Sequence, residues 1–288
     1  MQTILLTGAT GFLGSHLLKM LLIEGYNVYI LKRSTSNTWR IKKHLDRVKS
    51  YDVDIEPIEK AFEDKEVGIV IHTACHYGRN NDPISKVVET NLLFSLKLIE
   101  TAIKFNTSTF FNTDTLLQKY LNTYTISKKQ FVEWLKELSD QINVVNLKLE
   151  HMYGPNDDLS KFTTWVVRNF LKNKGKMELT PGKQKRDFIY VNDVVDAYKI
   201  LLNECLDRSL GFSEYEVGSG KTISIQDFVQ TVKMLTNSKT KPIFGARPYR
   251  KNEIMYSEAD TRKLLNLGWK PKYTLKEGLT EMIEMEAK

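Results

Sequence analysis

Apolar positions in the first half of the chain come in short runs, separated by longer stretches in which they recur every three or four residues. The short runs, at 4–7, 28–31, 67–72, 109–112 and 144–149, have the length and the aliphatic content of buried strands. The stretches between them, near 12–24, 36–49, 83–105 and 124–139, carry the helical period. Strand and helix alternating in this way predict an α/β fold, a doubly wound parallel sheet with right-handed crossovers and helices on both faces. In such a sheet a ligand binds at the C-terminal ends of the strands. Beyond about residue 155 the rhythm changes. Helical stretches at 158–173, 192–203, 224–236 and 273–286 are separated by brief strand-like pieces such as 214–217, and Gly and Pro gather at 154–155, 181–182 and 245–248. The pattern predicts a first domain over 1–154, completed by a strand and helix from about 185–205. A smaller C-terminal α/β lobe over 155–288 follows, closing over the first domain and taking the substrate.

The turn after the first strand adds chemistry. Ile4, Leu5, Leu6 and Thr7 run into Gly8-Ala9-Thr10-Gly11-Phe12-Leu13-Gly14, and Leu17, Leu18, Leu21 and Leu22 continue as one helix face. A strand, a glycine turn and a helix start aim backbone N–H groups and the positive helix end at a pyrophosphate. The sheet is therefore expected to be Rossmann-like, with Gly8, Thr10, Gly11, Phe12, Leu13 and Gly14 against a dinucleotide.

Composition narrows the class further. The chain has 288 residues, 41% of them hydrophobic, enough for a sizeable core. Its net charge of +7 comes from Lys and Arg scattered among Asp and Glu, without an arginine-rich block, so no nucleic-acid partner is expected. No apolar run is long enough to span a membrane, and no basic segment precedes residues 4–6, so a cytoplasmic protein is expected. Two cysteines, Cys75 and Cys205, are too few for a disulfide framework and are expected to be reduced. No His, Cys or carboxylate cluster has metal-ligand spacing, so no metal is expected.

Tyr124-Thr125-Ile126-Ser127-Lys128 places a phenol and an ammonium on one helix face. An ammonium favours the phenolate and is expected to lower the phenol's pKa from about 10, making Tyr124 a usable proton donor or acceptor. Other segments accompany the pair: His72-Thr73-Ala74-Cys75 at the end of the fourth strand, Asn91-Leu92-Leu93, Tyr153-Gly154-Pro155, Arg186-Asp187-Phe188-Ile189-Tyr190-Val191-Asn192-Asp193-Val194, and Leu267-Gly268-Trp269-Lys270-Pro271. In this order, over nearly the whole chain, they resemble the extended short-chain dehydrogenase/reductases that act on nucleotide-activated sugars. Three stretches, at 148–155, 184–190 and 250–257, resemble a narrower group, the CDP-abequose and CDP-paratose synthases. Those are 4-ketoreductases acting on CDP-4-keto-3,6-dideoxyglucose, which serve the dideoxyhexoses of bacterial surface polysaccharide.

The resemblance implies roles. Tyr124 is the acid that protonates the ketone oxygen while the carbon takes hydride, and Lys128 tunes it and holds the nicotinamide ribose. A hydroxyl should also bond the ketone: aligning on Thr-Asp gives Thr113, aligning on the strand gives Thr115, and both stay open. Thr73, Ala74, Cys75 and Asn91 fall at cofactor positions. Tyr77, His151, Arg186, Arg250, Asn252 and Glu253 fall where relatives hold the nucleotide sugar, the two arginines on its phosphates. Relatives that use NAD place an acidic residue where Lys32 stands. Lys32, Arg33 and Ser34 instead suit a 2′-phosphate, so NADP(H) is expected.

The same comparison narrows the reaction. Related 4,6-dehydratases follow the catalytic Thr with Asp-Glu, and no such base stands at 115–117. Relatives that epimerise C3 and C5 use a cysteine near this loop, whereas Cys75 is assigned to the fourth strand. Reduction of a C4 ketone on a sugar expected to be CDP-linked remains, with a 4-epimerase and a non-catalytic NADP-binding regulator as rivals. The stretches 91–105 and 124–139 pair with their copies in this family, which implies a homodimer; Leu92, Leu96 and Ile99 face the sheet, leaving Phe94, Leu98 and Phe131 for the partner.

Overall fold

The computed structural model describes residues 2–79, 81–204 and 210–287. In chain order its strands are β1 (Thr3–Thr7), β2 (Asn27–Lys32), β3 (Lys49–Asp52), β4 (Ile69–His72), β5 (Thr109–Thr115), β6 (Asn143–Leu149), β7 (His151–Tyr153), β8 (Lys176–Leu179), β9 (Lys185–Tyr190), β10 (Phe212–Val217), β11 (Thr222–Ser224), β12 (Lys241–Phe244) and β13 (Tyr256–Ser257). Its α-helices are α1 (Phe12–Ile23), α2 (Lys60–Glu63), α3 (Ile84–Val88), α4 (Phe94–Lys104), α5 (Thr123–Glu137), α6 (Phe162–Leu171), α7 (Val191–Glu204), α8 (Ile225–Thr236), α9 (Arg262–Asn266) and α10 (Leu275–Glu286). The chain divides into two compact units: Met1–Lys148 with Ala197–Tyr215, and Leu149–Asp196 with Glu216–Lys288.

The first unit holds a seven-stranded sheet in the order β10-β6-β5-β4-β1-β2-β3. The pairs β2/β3, β1/β2, β1/β4 and β4/β5 are parallel. Strand order reverses between β1 and β4, the switch point where such sheets take their ligands. On one face Leu5, Tyr29, Leu31, Val70, Phe110 and Val144 pack with Leu98, Ile99, Phe131 and Leu135 from the helices. Ile4, Leu6, Ile30, Ile71 and Phe111 are buried too. Burial on both faces is why these strands read as continuous apolar runs.

Four expectations change. The stretch 36–49 holds a 3-10 helix, Trp39–Arg47, in which only Ile41 is buried; crowded lysines and arginines with a single apolar anchor do not support an α-helix. The helical stretch 83–105 is interrupted by a π-helical turn, Glu89–Leu93, between α3 and α4. The strand that returns to the first sheet is β10, not the strand near 185: β9 is the centre of the second unit's sheet. Leu98 and Phe131 lie fully buried in the sheet's own core and cannot face a partner. Cys205 lies outside the described residues.

In the second unit β7 and β13 pair parallel with β9, β11 pairs antiparallel with it, and β8 and β12 form a separate parallel pair. Its core gathers Phe170, Phe188, Phe228, Val229, Leu279 and Met282. Two buried aspartates staple the loops. Asp187 accepts from Ser219 N and Oγ (2.7 and 2.6 Å), Gly220 N (3.0 Å) and Ala259 N (3.3 Å). Asp193 accepts from Lys272 N (2.8 Å) and Tyr273 N (3.2 Å), while its carbonyl accepts from Trp269 Nε1 (3.0 Å). The motifs around Asp193 and Trp269 thus meet through hydrogen bonds that hold the last helix region in place.

Candidate active site

The glycine turn brings β1, the start of α1 and the loop after β4 into close approach. Gly8 sits at φ +69°, and a Cβ there would come within 2.6 Å of Thr73 Oγ1 and 2.7 Å of Ala74 N. A Cβ on Gly14 would meet Gly8 O at 2.1 Å, so only glycine lets α1 start this close to β1. Gly11 N donates to Gly8 O (2.9 Å), and Gly11 is the N-cap of α1 without a side-chain cap or an acidic residue in the first turn. An uncapped twelve-residue helix at the sheet's switch point fits a dinucleotide pyrophosphate. Leu13 is buried in α1, and Thr10 lends its carbonyl to Arg40 Nη1 (3.4 Å). Thr73 Oγ1 donates to Thr7 O (2.7 Å) and Ala74 N to Thr7 Oγ1 (3.2 Å), fixing the loop after β4 beside the turn. His16, in α1, is held neutral. Burial, then Lys19 and Arg40, lower its pKa from 6.5 to about 4.

The residues that end and follow β2 meet a carboxylate of β3 that the motif reading passed over. Lys32 and Asp52 are register partners on β2 and β3. Asp52 Oδ2 takes Lys32 Nζ at 3.4 Å and Ser34 Oγ at 2.8 Å. Ser34 N donates to Asp54 Oδ2 at 2.9 Å. Arg33 is exposed. Two of the three groups expected at a 2′-phosphate are therefore tied to an acid that a sequence scan places 20 residues away.

Tyr124 and Lys128 lie on the first turns of α5, which Asn122 and Thr125 start with a reciprocal capping box. Lys128 is only 1% exposed. The phenol's pKa moves opposite to the expected direction: burial pushes it well above its usual value, Cys75 and Asp114 push the same way, and Arg79 alone pulls it down. Burial lowers Lys128, against Cys75 and Asp114, which raise it. Dehydration, with Cys75 and Asp114, outweighs the pull of Arg79, so Tyr124 stays a phenol throughout neutral pH. Cys75 is a free thiol, lying beyond β4 rather than in it, and it acts electrostatically on both members of the pair.

Around this pair the candidate hydroxyls and amide take defined places. Thr113 Oγ1 shares a 2.5 Å hydrogen bond with Tyr198 OH of α7. Thr115 Oγ1 accepts from Leu117 N (3.3 Å), capping the turn that follows β5. Between them Asp114 is buried, with Oδ2 on Lys129 Nζ (2.6 Å) and Oδ1 without a partner. Asn91 lies fully buried in the π-helical turn. It accepts from His76 N (2.6 Å) and donates to His76 O (2.8 Å) and Ser127 Oγ (3.0 Å), so its amide clamps the loop after β4 to α5. Tyr77 stacks on Tyr124, ring centroids 4.9 Å apart.

In the second unit the expected substrate residues form one polar cluster. Arg186, largely buried on β9, donates through Nη2 to Glu253 Oε1 (2.7 Å) and through Nη1 to Lys185 O (2.8 Å). Burial lowers its pKa, while Glu253 and Glu150 raise it. Glu253 N donates to Arg250 O (3.1 Å), closing a turn that leaves Arg250 and Asn252 exposed. His151 Nδ1 lies 2.6 Å from Glu150 Oε2, and Ser257 Oγ donates to Glu150 Oε1. Sequence reasoning missed Glu150 and Ser257. Their signal was adjacency: Glu150 precedes His151, and β13 sets Ser257 opposite Arg186. Among the described residues no His, Cys, Asp and Glu group could hold a metal ion, and no helix is long and apolar enough to cross a membrane.

A switch-point glycine cradle and a Tyr-x-x-x-Lys helix in one sheet unit, with an arginine–carboxylate cluster in a second unit, define a nucleotide-cofactor enzyme of the extended short-chain dehydrogenase/reductase type. The chain belongs to the NAD dependent epimerase/dehydratase family, whose model matches residues 4–218. It is 36% identical to CDP-abequose synthase of Salmonella muenchen over 99% of this chain and 98% of that protein. It is 27% identical to a putative UDP-glucose 4-epimerase of Methanocaldococcus jannaschii, covering 97% of both. The UDP-glucose 4-epimerase of Thermotoga maritima, solved with UDP-glucose, shares the fold at TM-score 0.86 and 23% identity, over 99% of this chain and 98% of that one. The protein is a nucleotide-sugar-modifying enzyme that uses an NAD(P)-type cofactor.

Proposed function

We propose that the protein reduces the C4 ketone of a CDP-linked 4-keto-6-deoxy or 3,6-dideoxy hexose with NADPH, in the cytoplasm, for surface-polysaccharide sugar biosynthesis. The observation that carries the chemistry is the pairing on α5 of Tyr124, a half-buried phenol that keeps its proton at neutral pH, with the buried Lys128. Ketone reduction needs a protonated donor at the start of the cycle, and oxidation of an alcohol needs a phenolate. Full-length likeness to CDP-abequose synthase supports the substrate class.

The cofactor would lie on Gly8, Gly11 and Gly14, and a bound NADPH supplies the hydride. Tyr124 gives its proton to the ketone oxygen as the carbonyl becomes an alcohol. Thr113 or Thr115 would bond that oxygen, and Lys128 would bond the nicotinamide ribose. Arg33 would meet the 2′-phosphate, with Lys32 and Ser34 turning to it from Asp52. Arg186 and Arg250 would take the diphosphate, with His151, Asn252 and Glu253 on the sugar and ribose hydroxyls.

The protein would work as a homodimer. Leu93 and Trp134, 48% and 50% exposed on the π-helical turn and α5, take the partner-facing role in place of Leu98 and Phe131.

The test is purified protein with NADPH and CDP-4-keto-3,6-dideoxyglucose, followed by NADPH consumption and by identification of the reduced sugar. Stoichiometric NADPH loss is the expected result. Redox-neutral interconversion of a nucleotide hexose at C4, without net NADPH loss, would make it an epimerase. Cofactor binding without turnover of any nucleotide sugar would leave the regulator reading.

A further inference from the structure

We propose that Tyr77 and Arg79 form a cover over Tyr124 that keeps its phenol dry and stabilises the charge it acquires on giving up its proton. The proposal rests on the reading of Tyr124 as the proton donor. Three planar groups lie in sequence: the Tyr77 ring is 4.9 Å from the Tyr124 ring at 34°, and the Arg79 guanidinium carbon is 4.8 Å from the Tyr77 centroid. Tyr77 is 42% exposed, so its outer part meets solvent while it lies against Tyr124.

The segment that carries the stack is wedged in place. Asn91 holds both the N–H and the carbonyl of His76, and through Ser127 it joins them to the helix that bears Tyr124. Gly78 follows at φ +62°, where a Cβ would come within 2.9 Å of Val87 Cγ2 and 3.2 Å of Thr123 Oγ1. Gly78 N donates to His76 Nδ1 (3.1 Å), and His76 Nε2 lies 3.4 Å from Asp82. Both helices beside Tyr124 therefore fix the register of the cover.

The chemistry explains why a cover of this kind is useful. Proton donation leaves a phenolate on a half-buried ring, and that charge needs cations. Lys128 supplies one from the same helix. Arg79 supplies the second from a different element, and a guanidinium keeps its charge in any surroundings. It acts against Cys75 of the same loop and Asp114 of β5, which disfavour the phenolate, while Lys129 is held by Asp114. Arg79 is a positioning residue on this reading, acting through Tyr77 and through the field at Tyr124.

The test places 3-fluorotyrosine at position 124 of the full chain and follows its ¹⁹F resonance through a pH titration, without substrate. The fluorine lowers the phenol's pKa and brings the titration into range. Tyr77→Ala should move the resonance by removing the ring current, and Tyr77→Phe should leave it in place. Arg79→Gln should raise the titration midpoint by about one pH unit, the scale of one nearby charge in a partly buried site, and Arg79→Lys should restore much of it. In the reductase assay Arg79→Gln should lower kcat about tenfold, with KM for the cofactor within about twofold. An unmoved resonance in Tyr77→Ala, or an unmoved midpoint in Arg79→Gln, overturns the proposal. If no ketone is reduced at all, the proposed activity fails, while the resonance and the midpoint still decide the cover.

Discussion

At the scale of single residues the site depends on which groups are dry. Tyr124→Phe removes the proposed proton donor and should lower kcat about 10²–10⁴-fold with nucleotide affinity unchanged, which steady-state rates and a binding titration would separate. Asp52→Asn removes the carboxylate that holds Lys32 and Ser34, and a carboxylate there repels a 2′-phosphate. The variant should lower KM for NADPH relative to NADH, and equal KM values in the native protein would refute the NADPH preference. His16 gives a pH dependence of stability. Its pKa is depressed from 6.5 unfolded to about 4 folded, so its contribution is full above about 6.5 and is lost as pH falls through about 4. The loss is about 3 kcal/mol. Thermal melts between those pH values should show a shallower decline in His16→Gln. The spacings that nominate the tyrosine, the lysine and the glycines are local, so a sequence alone displays them. It does not display the raised phenol and the Asp52 contact, because desolvation and cross-strand register are products of the folded sheet.

At the scale of elements, the π-helical turn is the informative departure. The helical period over 83–105 was readable, but one widened turn is invisible to periodicity, and it is this turn that carries Asn91. Asn91 belonged, by motif, with the cofactor residues; the fold places its amide between a loop and a helix. Asn91→Ala leaves the His76 N–H and carbonyl without their amide partner and removes the bond to Ser127 Oγ, which keeps its own to Tyr124 O. It should cost about 1–3 kcal/mol in urea unfolding, with further loss of activity from a loosened Tyr77 loop. Gly78→Ala should be at least as damaging, since it adds a positive-φ strain to a close contact with Val87. The strands of the first unit were legible because both faces are buried. Strand β3 was not: it is Lys-Ser-Tyr-Asp, with Tyr51 alone buried.

At the scale of the whole molecule, the apolar surface left exposed on α5 and the π-helical turn bears on assembly. Trp134→Glu should shift the proposed dimer to monomer in sedimentation velocity at micromolar concentration, and a native monomer would refute the proposed dimer. The change of rhythm near residue 155 is visible in the sequence, but the path of the chain is not. Strand pairing, rather than apolar content, decided that β10 and not β9 goes back to the first sheet. That path has a consequence for synthesis. The N-terminal 148 residues lack the edge strand and the Tyr198 segment of their own unit, which arrive only with Ala197–Tyr215. At about 5–20 residues per second a ribosome leaves that sheet unfinished for several seconds, with β6 as an open edge. A fragment ending at residue 148 should therefore aggregate more readily than the full chain in the same buffer, and chaperones should meet the nascent protein in that interval.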